Sequence, residues 1–322
     1  MSGTAEPRSE SPVARTNAIP TRVAIWAGSL SGPLQPSAPE DLAADHPVWQ
    51  ETVEALSPWR RVEAADGAAW FESTNTQAPG PIVLCRRSSS TQDATRWLLA
   101  RGLLGMGGAV VAANQSAGRG RMGRAWASVS GNLHGTWICP AIEPGAGAGL
   151  ASLAAGLAVA RTLEDLGLSP AIKWPNDILV TGRKAAGILT ETSGAFTLIG
   201  IGVNTCRCPG DAALRLEGSF PATTLTEHGL RHGPLALWLA ILRRGQDVLA
   251  QRPDPDYAAD LCRQIENRLA WAGQTVTIHQ PGRQGGTYEC RILGLNTDGS
   301  LRVRRNGQVI SIYSGSLAPV YR

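Results

Sequence analysis

Lysine is almost absent from this chain: among its 30 basic residues only Lys173 and Lys184 are lysines, and all the others are arginines. A general bias toward arginine would account for the composition, but it makes the two exceptions informative. A lysine ammonium is compact and its pKa responds to its surroundings, whereas a guanidinium is planar and permanently charged. Both lysines fall in the segment that carries the other candidate site residues.

Long apolar runs and cysteine pairs with the spacing of a zinc site are also missing. The most apolar stretch, residues 145–160, is mostly glycine and alanine and stops at Arg161, which predicts a buried helix rather than a membrane span. The first residues lack the pattern of a signal peptide. The six cysteines lack the spacing of a zinc site, which indicates reduced thiols. We therefore expect a cytoplasmic protein without a membrane partner.

Strong charge of either sign is missing too, because the net charge is only +4 over 322 residues. This balance gives no electrostatic argument for nucleic-acid binding. Residues 1–80 are rich in proline, serine and alanine, and we expect a partly disordered extension with a strand at 21–26 and a short helix at 47–59. No pair of well-capped helices joined by a tight turn is visible there, so we expect no helix-turn-helix and no nucleic-acid partner.

From residue 81 the pattern changes to regular elements separated by glycine-rich loops. Strands and helices alternate irregularly up to residue 267, which predicts an α+β domain with a mixed β-sheet covered by helices. Residues 268–322 show short strands only, with Asn306-Gly307 as a hairpin turn. This tail fits a small SH3-like β-barrel domain.

The spacing Gly-x-Gly-x-x-Gly occurs at Gly118, Gly120 and Gly123. In a dinucleotide-binding fold this motif opens directly into a helix, whereas here a tryptophan- and serine-rich stretch leads toward a strand. Three interleaved arginines instead suggest a loop that can fold over an anion, offering backbone N–H groups and guanidinium groups to phosphate oxygens. An ordinary solvated basic loop remains the alternative.

Three further segments combine glycines with ionisable or amide side chains: residues 173–177 (Lys-Trp-Pro-Asn-Asp), 183–189 (Arg-Lys-Ala-Ala-Gly-Ile-Leu) and 200–204 (Gly-Ile-Gly-Val-Asn). Taken singly, each is also compatible with a surface ion pair, a solvated lysine or a plain bulge. Together they fit an acyl transferase that makes a mixed anhydride with phosphate, because clustered cations stabilise the developing negative charge.

Five motifs in this order resemble the biotin protein ligase family: residues 89–93 (Ser-Ser-Thr-Gln-Asp), 115–121 (Gln-Ser-Ala-Gly-Arg-Gly-Arg) and the three segments above. With the β-barrel tail the resemblance covers roughly residues 81–322, in the form without a helix-turn-helix. It implies an enzyme that forms biotinyl-5′-AMP from biotin and ATP, with Mg²⁺, and transfers biotin to a lysine of a biotin carboxyl carrier protein. A homodimer is compatible with the family.

Residue roles are carried over from the resemblance only. It implies catalytic roles for Lys184, Arg121, Asp177 and Lys173, with Asp177 also the candidate Mg²⁺ ligand and the residue that orients or deprotonates the acceptor amine. Asn176 and Asn204 are the expected nucleotide contacts. The expected contacts to biotin or its adenylate are Ser90, Thr91, Gln92, Gln115, Gly118, Arg119, Gly120, Arg121, Arg124, Trp126, His134, Lys184 and Gly187.

The sequence departs from the family pattern at two places that would line the substrate pocket. His134 stands where relatives often carry an aromatic residue, and the adenine side offers Phe220 but no tryptophan. A lipoate protein ligase uses the same adenylate chemistry, but the arginine-interleaved glycine loop favours biotin. A biotin-responsive DNA-binding repressor is the alternative from another class, and salt-dependent binding to a palindromic duplex would reveal it.

Overall fold

The computed structural model describes residues 22–28, 30–63, 67–75, 78–141, 147–210, 220–250, 256–280 and 286–320. The helices are α1 (Pro39–Ala43), α2 (Pro47–Ala55), α3 (Thr91–Ala100), α4 (Gly147–Asp165), α5 (Pro234–Ala250) and α6 (Tyr257–Glu266). The strands are β1 (Val23–Trp26), β2 (Trp59–Glu63), β3 (Ala69–Ser73), β4 (Ile82–Ser88), β5 (Ala109–Gln115), β6 (Leu133–Pro140), β7 (Pro170–Lys173), β8 (Asp177–Val180), β9 (Arg183–Ser193), β10 (Phe196–Val203), β11 (Thr275–Gln280), β12 (Gly286–Leu295), β13 (Leu301–Arg305), β14 (Gln308–Ile312) and β15 (Ser316–Pro319).

Ten strands form one mixed sheet in the order β2-β3-β1-β4-β5-β6-β10-β9-β8-β7. Strand β4 runs parallel to both of its neighbours, β1 and β5, and the remaining pairs are antiparallel. The short connections between β7, β8, β9 and β10 keep these strands adjacent in sequence order, as antiparallel neighbours require. The predicted mixed sheet is therefore confirmed.

Alternation along the central strands separates two apolar layers. In β1, Val23 and Ile25 face the larger core with α4 and α5, whereas Ala24 and Trp26 face a smaller core with α3. Helix α4 is rich in alanine and leucine, which favour helix, and it is buried over most of its surface against the larger core. Within the described residues, no helix combines the length and the apolarity needed to cross a bilayer.

The described part of residues 1–80 belongs to the main sheet. Strands β1, β2 and β3 extend it beyond β4, and α1 and α2 pack against the larger core through Leu42, Trp49 and Val53. The expected boundary at residue 80 is therefore not a boundary of the sheet. The predicted strand and helix near residues 21–26 and 47–59 are present as β1 and α2. Partial disorder is expected over residues 1–80; residues 1–21 lie outside the described residues, and the described part after them is largely strand and helix.

The C-terminal strands form a separate antiparallel sheet in the order β14-β13-β12-β11-β15, consistent with the expected SH3-like barrel. Asn306 and Gly307 connect β13 to β14 with φ values of 49° and 82°, the backbone that an Asn-Gly hairpin turn requires. The Trp174 indole Nε1 donates to the Gly299 carbonyl oxygen at 3.0 Å. This bond ties the C-terminal sheet to the turn between β7 and β8.

Candidate active site

One cavity of about 570 Å³ gathers nearly all of the predicted site residues. Its walls come from α3, from β5 to β10 of the main sheet, from the loop that follows β5 and from β15 of the C-terminal sheet. The predicted residues that line it are Ser90, Thr91, Gln92, Gln115, Arg119, Gly120, Arg121, Arg124, Trp126, His134, Lys173, Asn176, Asp177, Lys184, Gly187 and Asn204. Gly118 does not line the cavity. Its carbonyl oxygen instead accepts a hydrogen bond from the Trp126 backbone N–H at 2.9 Å.

The first wall is the start of α3, which Ser90 caps. The Ser90 side chain accepts a hydrogen bond from the Asp93 backbone N–H at 3.1 Å, which satisfies one of the free donors of the first helical turn. Gln115 Oε1 accepts from the Thr91 backbone N–H at 2.8 Å, and Gln115 Nε2 donates to Ser128 Oγ at 2.9 Å. The motif at the end of β4 and the motif at the end of β5 thus hold each other in place.

The arginine loop (residues 118–126) closes on itself over the cavity. Arg119 and Ala125 form a β-bridge, and the Gly120 N–H donates to the Arg124 carbonyl oxygen at 2.8 Å. At the tip is a short 3-10 turn with Met122 at φ 60°. No helix follows the glycines, so the structure agrees with the rejection of a dinucleotide-binding motif.

Arg119 is directed away from the centre of the cavity by an ion pair that sequence reasoning missed. Its guanidinium donates to both carboxylate oxygens of Asp93, at 3.0 and 2.9 Å, and lies 3.6 Å from Glu191. Arg96 completes the cluster by bonding the same two carboxylates. Asp93 stands in the first motif, yet nothing in its spacing pointed to an arginine 26 residues away.

The two lysines of the chain meet on a single carboxylate. Lys184 Nζ lies 2.6 Å from Asp177 Oδ1, and Lys173 Nζ lies 3.1 Å from Asp177 Oδ2. Burial alone would raise the pKa of Asp177, but the two ammonium groups outweigh burial and lower the pKa to about 2. Burial lowers the pKa of Lys173, against the opposing effect of Asp177. The carboxylate is therefore ionised and paired throughout the physiological pH range.

This pairing argues against two roles that the resemblance suggested for Asp177. A carboxylate with so low a pKa is a weak proton acceptor, so Asp177 is suited to orient an amine and not to deprotonate it. Both of its oxygens already face lysines. Among the described residues no group of three or more metal-ligating side chains occurs, and Asp177 is the one acidic residue lining the cavity. These residues do not fit a resident Mg²⁺, and any such ion would be held mainly by substrate phosphates.

Trp126 packs on two glycines that face each other across β9 and β10. Gly187 and Gly202 are register partners, and a Cβ added to either would meet the indole, at 2.9 Å and 2.5 Å respectively. Lys184 Nζ lies 5.4 Å from the centre of the indole ring. Glycine at these two positions therefore leaves room for the Trp126 indole beside Lys184.

The two predicted nucleotide-binding asparagines also act as structural ties. Asn176 Nδ2 donates to the Ile188 carbonyl oxygen at 2.9 Å, and Asn176 Oδ1 accepts from Arg121 at 3.3 Å. Asn204 Nδ2 lies 3.3 Å from the carbonyl oxygens of Lys184 and Thr223. Both line the cavity and hold the backbone around Lys184.

The two departures from the family pattern have defined positions. His134 is buried, its Nε2 lies 3.3 Å from the Val129 carbonyl oxygen, and burial lowers its pKa to about 4, so it is neutral. Phe220 places its ring 4.5 Å from Lys173 Nζ and packs edge-on against Trp271. Phe220 therefore supplies a cation–π contact to the buried lysine.

Comparison with known proteins agrees with this site. Residues 84–204 match the family described as Biotin/lipoate A/B protein ligase family. The chain is 33% identical to the bifunctional ligase/repressor BirA of Bacillus subtilis over 258 residues, 75% of each chain. It is 30% identical to the biotin–[acetyl-CoA-carboxylase] ligase of Mycobacterium tuberculosis over 247 residues, 73% of this chain and 87% of the relative.

Among solved structures, the biotin protein ligase from Aquifex aeolicus in complex with biotin and ATP is similar, with a TM-score of 0.62 and 26% identity. The match covers 74% of this chain and 97% of that protein. The chain therefore shares most of its fold with a biotin protein ligase, and the five motifs line one cavity in that fold. The chain belongs to the biotin/lipoate A/B protein ligase family, among the biotin protein ligases.

Proposed function

We infer that this protein is an ATP-dependent ligase that forms biotinyl-5′-AMP and transfers biotin to a specific lysine of a biotin carboxyl carrier protein. The observation that carries this inference is the Lys173–Asp177–Lys184 cluster inside a cavity lined by all five motifs. Relatives with substantial coverage are ligases of this kind, which favours biotin over lipoate.

The first step joins a carboxylate to the α-phosphate of ATP and releases pyrophosphate. Two anions must approach each other, and five cationic side chains line the cavity to offset their repulsion: Arg119, Arg121, Arg124, Lys173 and Lys184. Lys184 is placed to bridge the biotin carboxylate and the α-phosphate, because it is the less buried of the two lysines. Arg119 reaches the substrate only by leaving Asp93.

The second step is attack of the acceptor lysine amine on the acyl carbon, with loss of a proton from nitrogen and departure of AMP. Asp177 accepts a hydrogen bond from the incoming amine and orients it. Because the pKa of Asp177 is about 2, the proton lost from nitrogen passes to solvent water and not to this carboxylate. We place the reaction in the cytoplasm and expect no operator binding. A homodimer is compatible with this proposal.

The test is biotin-dependent exchange between ATP and pyrophosphate. Wild-type protein should support exchange with biotin and not with lipoate, and Lys184→Ala should lose at least about a hundredfold in rate. Arg304→Ala, which removes an exposed cation from β13, is the matched control and should behave like wild type. Exchange with lipoate alone, or undiminished exchange in Lys184→Ala, would contradict the proposal.

A further inference from the structure

The segment ahead of the family match contacts the two parts of the chain that hold the arginine loop on its two sides, the end of β4 and the segment that follows the loop. We name residues 33–46 the N-terminal strap; it contains α1 and lies outside the matched range 84–204. Leu34 forms an antiparallel bridge with Ser88, and the Ser89 N–H donates to the Pro33 carbonyl oxygen at 3.0 Å. The strap therefore runs beside the end of β4, next to the biotin motif.

That same end of β4 carries the near end of the arginine loop. The Ser116 and Ala117 backbone N–H groups donate to the carbonyl oxygens of Ser88 and Ser89, at 3.0 and 2.8 Å. The chain leaving β5 toward the loop is thus hydrogen-bonded to a strand that the strap covers. Pro33 and Leu34 of the strap therefore support the near end of the loop through backbone pairing with β4 and Ser89.

Residues 127–131 directly follow the arginine loop and are here called its far end; a side chain of the strap holds them. Asp45, only 8% exposed, accepts from Ser130 Oγ through Oδ2 and from Arg86 Nε through Oδ1 at 3.2 Å. The adjacent His46 ring packs at Gly131, where an added Cβ would lie 2.9 Å from its Cε1. Residues 127–130 join this anchor to Trp126, so the position of Ser130 limits where the loop and its indole can lie.

We propose that Asp45 is a positioning residue of the ligase: it fixes Ser130, and thereby the far end of the arginine loop, so that the loop closes over the adenylate in one register. The proposal rests on the ligase function inferred above. It assigns the strap a role in retaining the activated intermediate, and Asp45 acts through Ser130 without touching the substrate.

Two readouts test this role. Limited trypsin digestion with mass spectrometry reports cleavage after Arg119, Arg121 and Arg124, and kinetics report KM for biotin and the escape of preformed adenylate. Asp45→Ala should speed loop cleavage and raise both KM and adenylate escape on the order of tenfold, with kcat for exchange little changed. Glu54→Ala, an exposed carboxylate on α2, is the control and should match wild type.

Further variants separate positioning from general instability. Ser130→Ala should reproduce the effect, and the double variant Asp45→Ala/Ser130→Ala should be no worse than either single variant, because both remove one interaction. Asp45→Asn keeps an acceptor for Ser130 and should restore slow loop cleavage. Wild-type cleavage and KM in Asp45→Ala, or additive effects in the double variant, overturn the proposal. A wild-type protein without biotin-dependent exchange overturns the ligase function instead, while the digestion still decides the role of Asp45.

Discussion

His134 is a histidine that folding keeps neutral. Burial lowers its pKa from 6.5 to about 4, against the opposing effect of its hydrogen bond to Val129. Between these two values the unfolded chain binds a proton here and the folded protein does not, so the free energy of unfolding falls as the pH drops from 6.5 toward 4. The difference in pKa corresponds to about 3 kcal/mol.

We therefore expect His134→Gln to flatten the pH dependence of stability within this window. Urea denaturation at pH steps between about 7 and about 4, a range that spans both pKa values, measures this dependence. His232→Gln, at an exposed position, is the control and should leave the wild-type slope unchanged. Parallel curves for wild type and His134→Gln would show that His134 takes up its proton equally in both states.

Gly202 is required by the side chain that lies on it. A Cβ at this position would sit 2.5 Å from the Trp126 indole, so Gly202→Ala should push the indole off the sheet. We expect biotin affinity to fall by about tenfold or more, measured by calorimetry. Gly156→Ala in α4 is the control, because its added Cβ meets nothing nearer than 3.7 Å. Unchanged affinity in Gly202→Ala would mean that biotin binding does not depend on the packing of Trp126 on Gly202.

Residue types and motifs in the sequence predict which residues line the site, but they do not predict which residues these contact. Lys173, Asp177 and Lys184 stand out by residue type and by motif. Their meeting on one carboxylate depends on the register of β8 with β7 and β9, which pairs Asp177 with Lys173 and with Gly187. Arg119 stands out as a phosphate ligand, yet its bond to Asp93 follows from how α3 packs beside the loop.

The stability of helix α3 depends on its N-terminal cap, Ser90. Ser90→Ala removes the acceptor for the Asp93 N–H and should lower the free energy of unfolding by about 1 kcal/mol. Ser90→Thr keeps a hydroxyl acceptor and should recover most of the loss. Urea denaturation followed by circular dichroism measures both variants, and equal stability of Ser90→Ala and wild type would contradict a capping role.

Most elements after residue 81 follow from apolar periodicity bounded by glycine and proline. Strands β2 and β15, which the sequence did not predict, lack apolar periodicity. Strand β2 (Trp-Arg-Arg-Val-Glu) lies at the sheet edge with no buried residue, so its sequence shows no apolar alternation. Strand β15 has four residues and ends in proline, which edge strands tolerate.

At the scale of the whole molecule, the hydrogen bond from Trp174 to Gly299 connects the main sheet to the C-terminal sheet. Trp174→Phe leaves the Gly299 carbonyl oxygen without its indole donor and should lower the free energy of unfolding by about 1 kcal/mol more than Trp238→Phe does. Trp238 is the matched control, because it is equally buried and its Nε1 has no hydrogen-bond partner among the described residues. Equal losses in the two variants, measured by urea denaturation, would mean that the bond adds nothing to stability.

The pairing of the two lysines also protects the molecule from its own chemistry. An acyl adenylate acylates amines, and a surface made with arginine offers it guanidinium groups that remain protonated at neutral pH. The chain's two side-chain amines, 5% and 24% exposed, are both bound to Asp177. An intermediate that escapes the cavity therefore meets no ready nucleophile among the enzyme's own side-chain amines, and self-labelling should be rare even when the carrier is scarce.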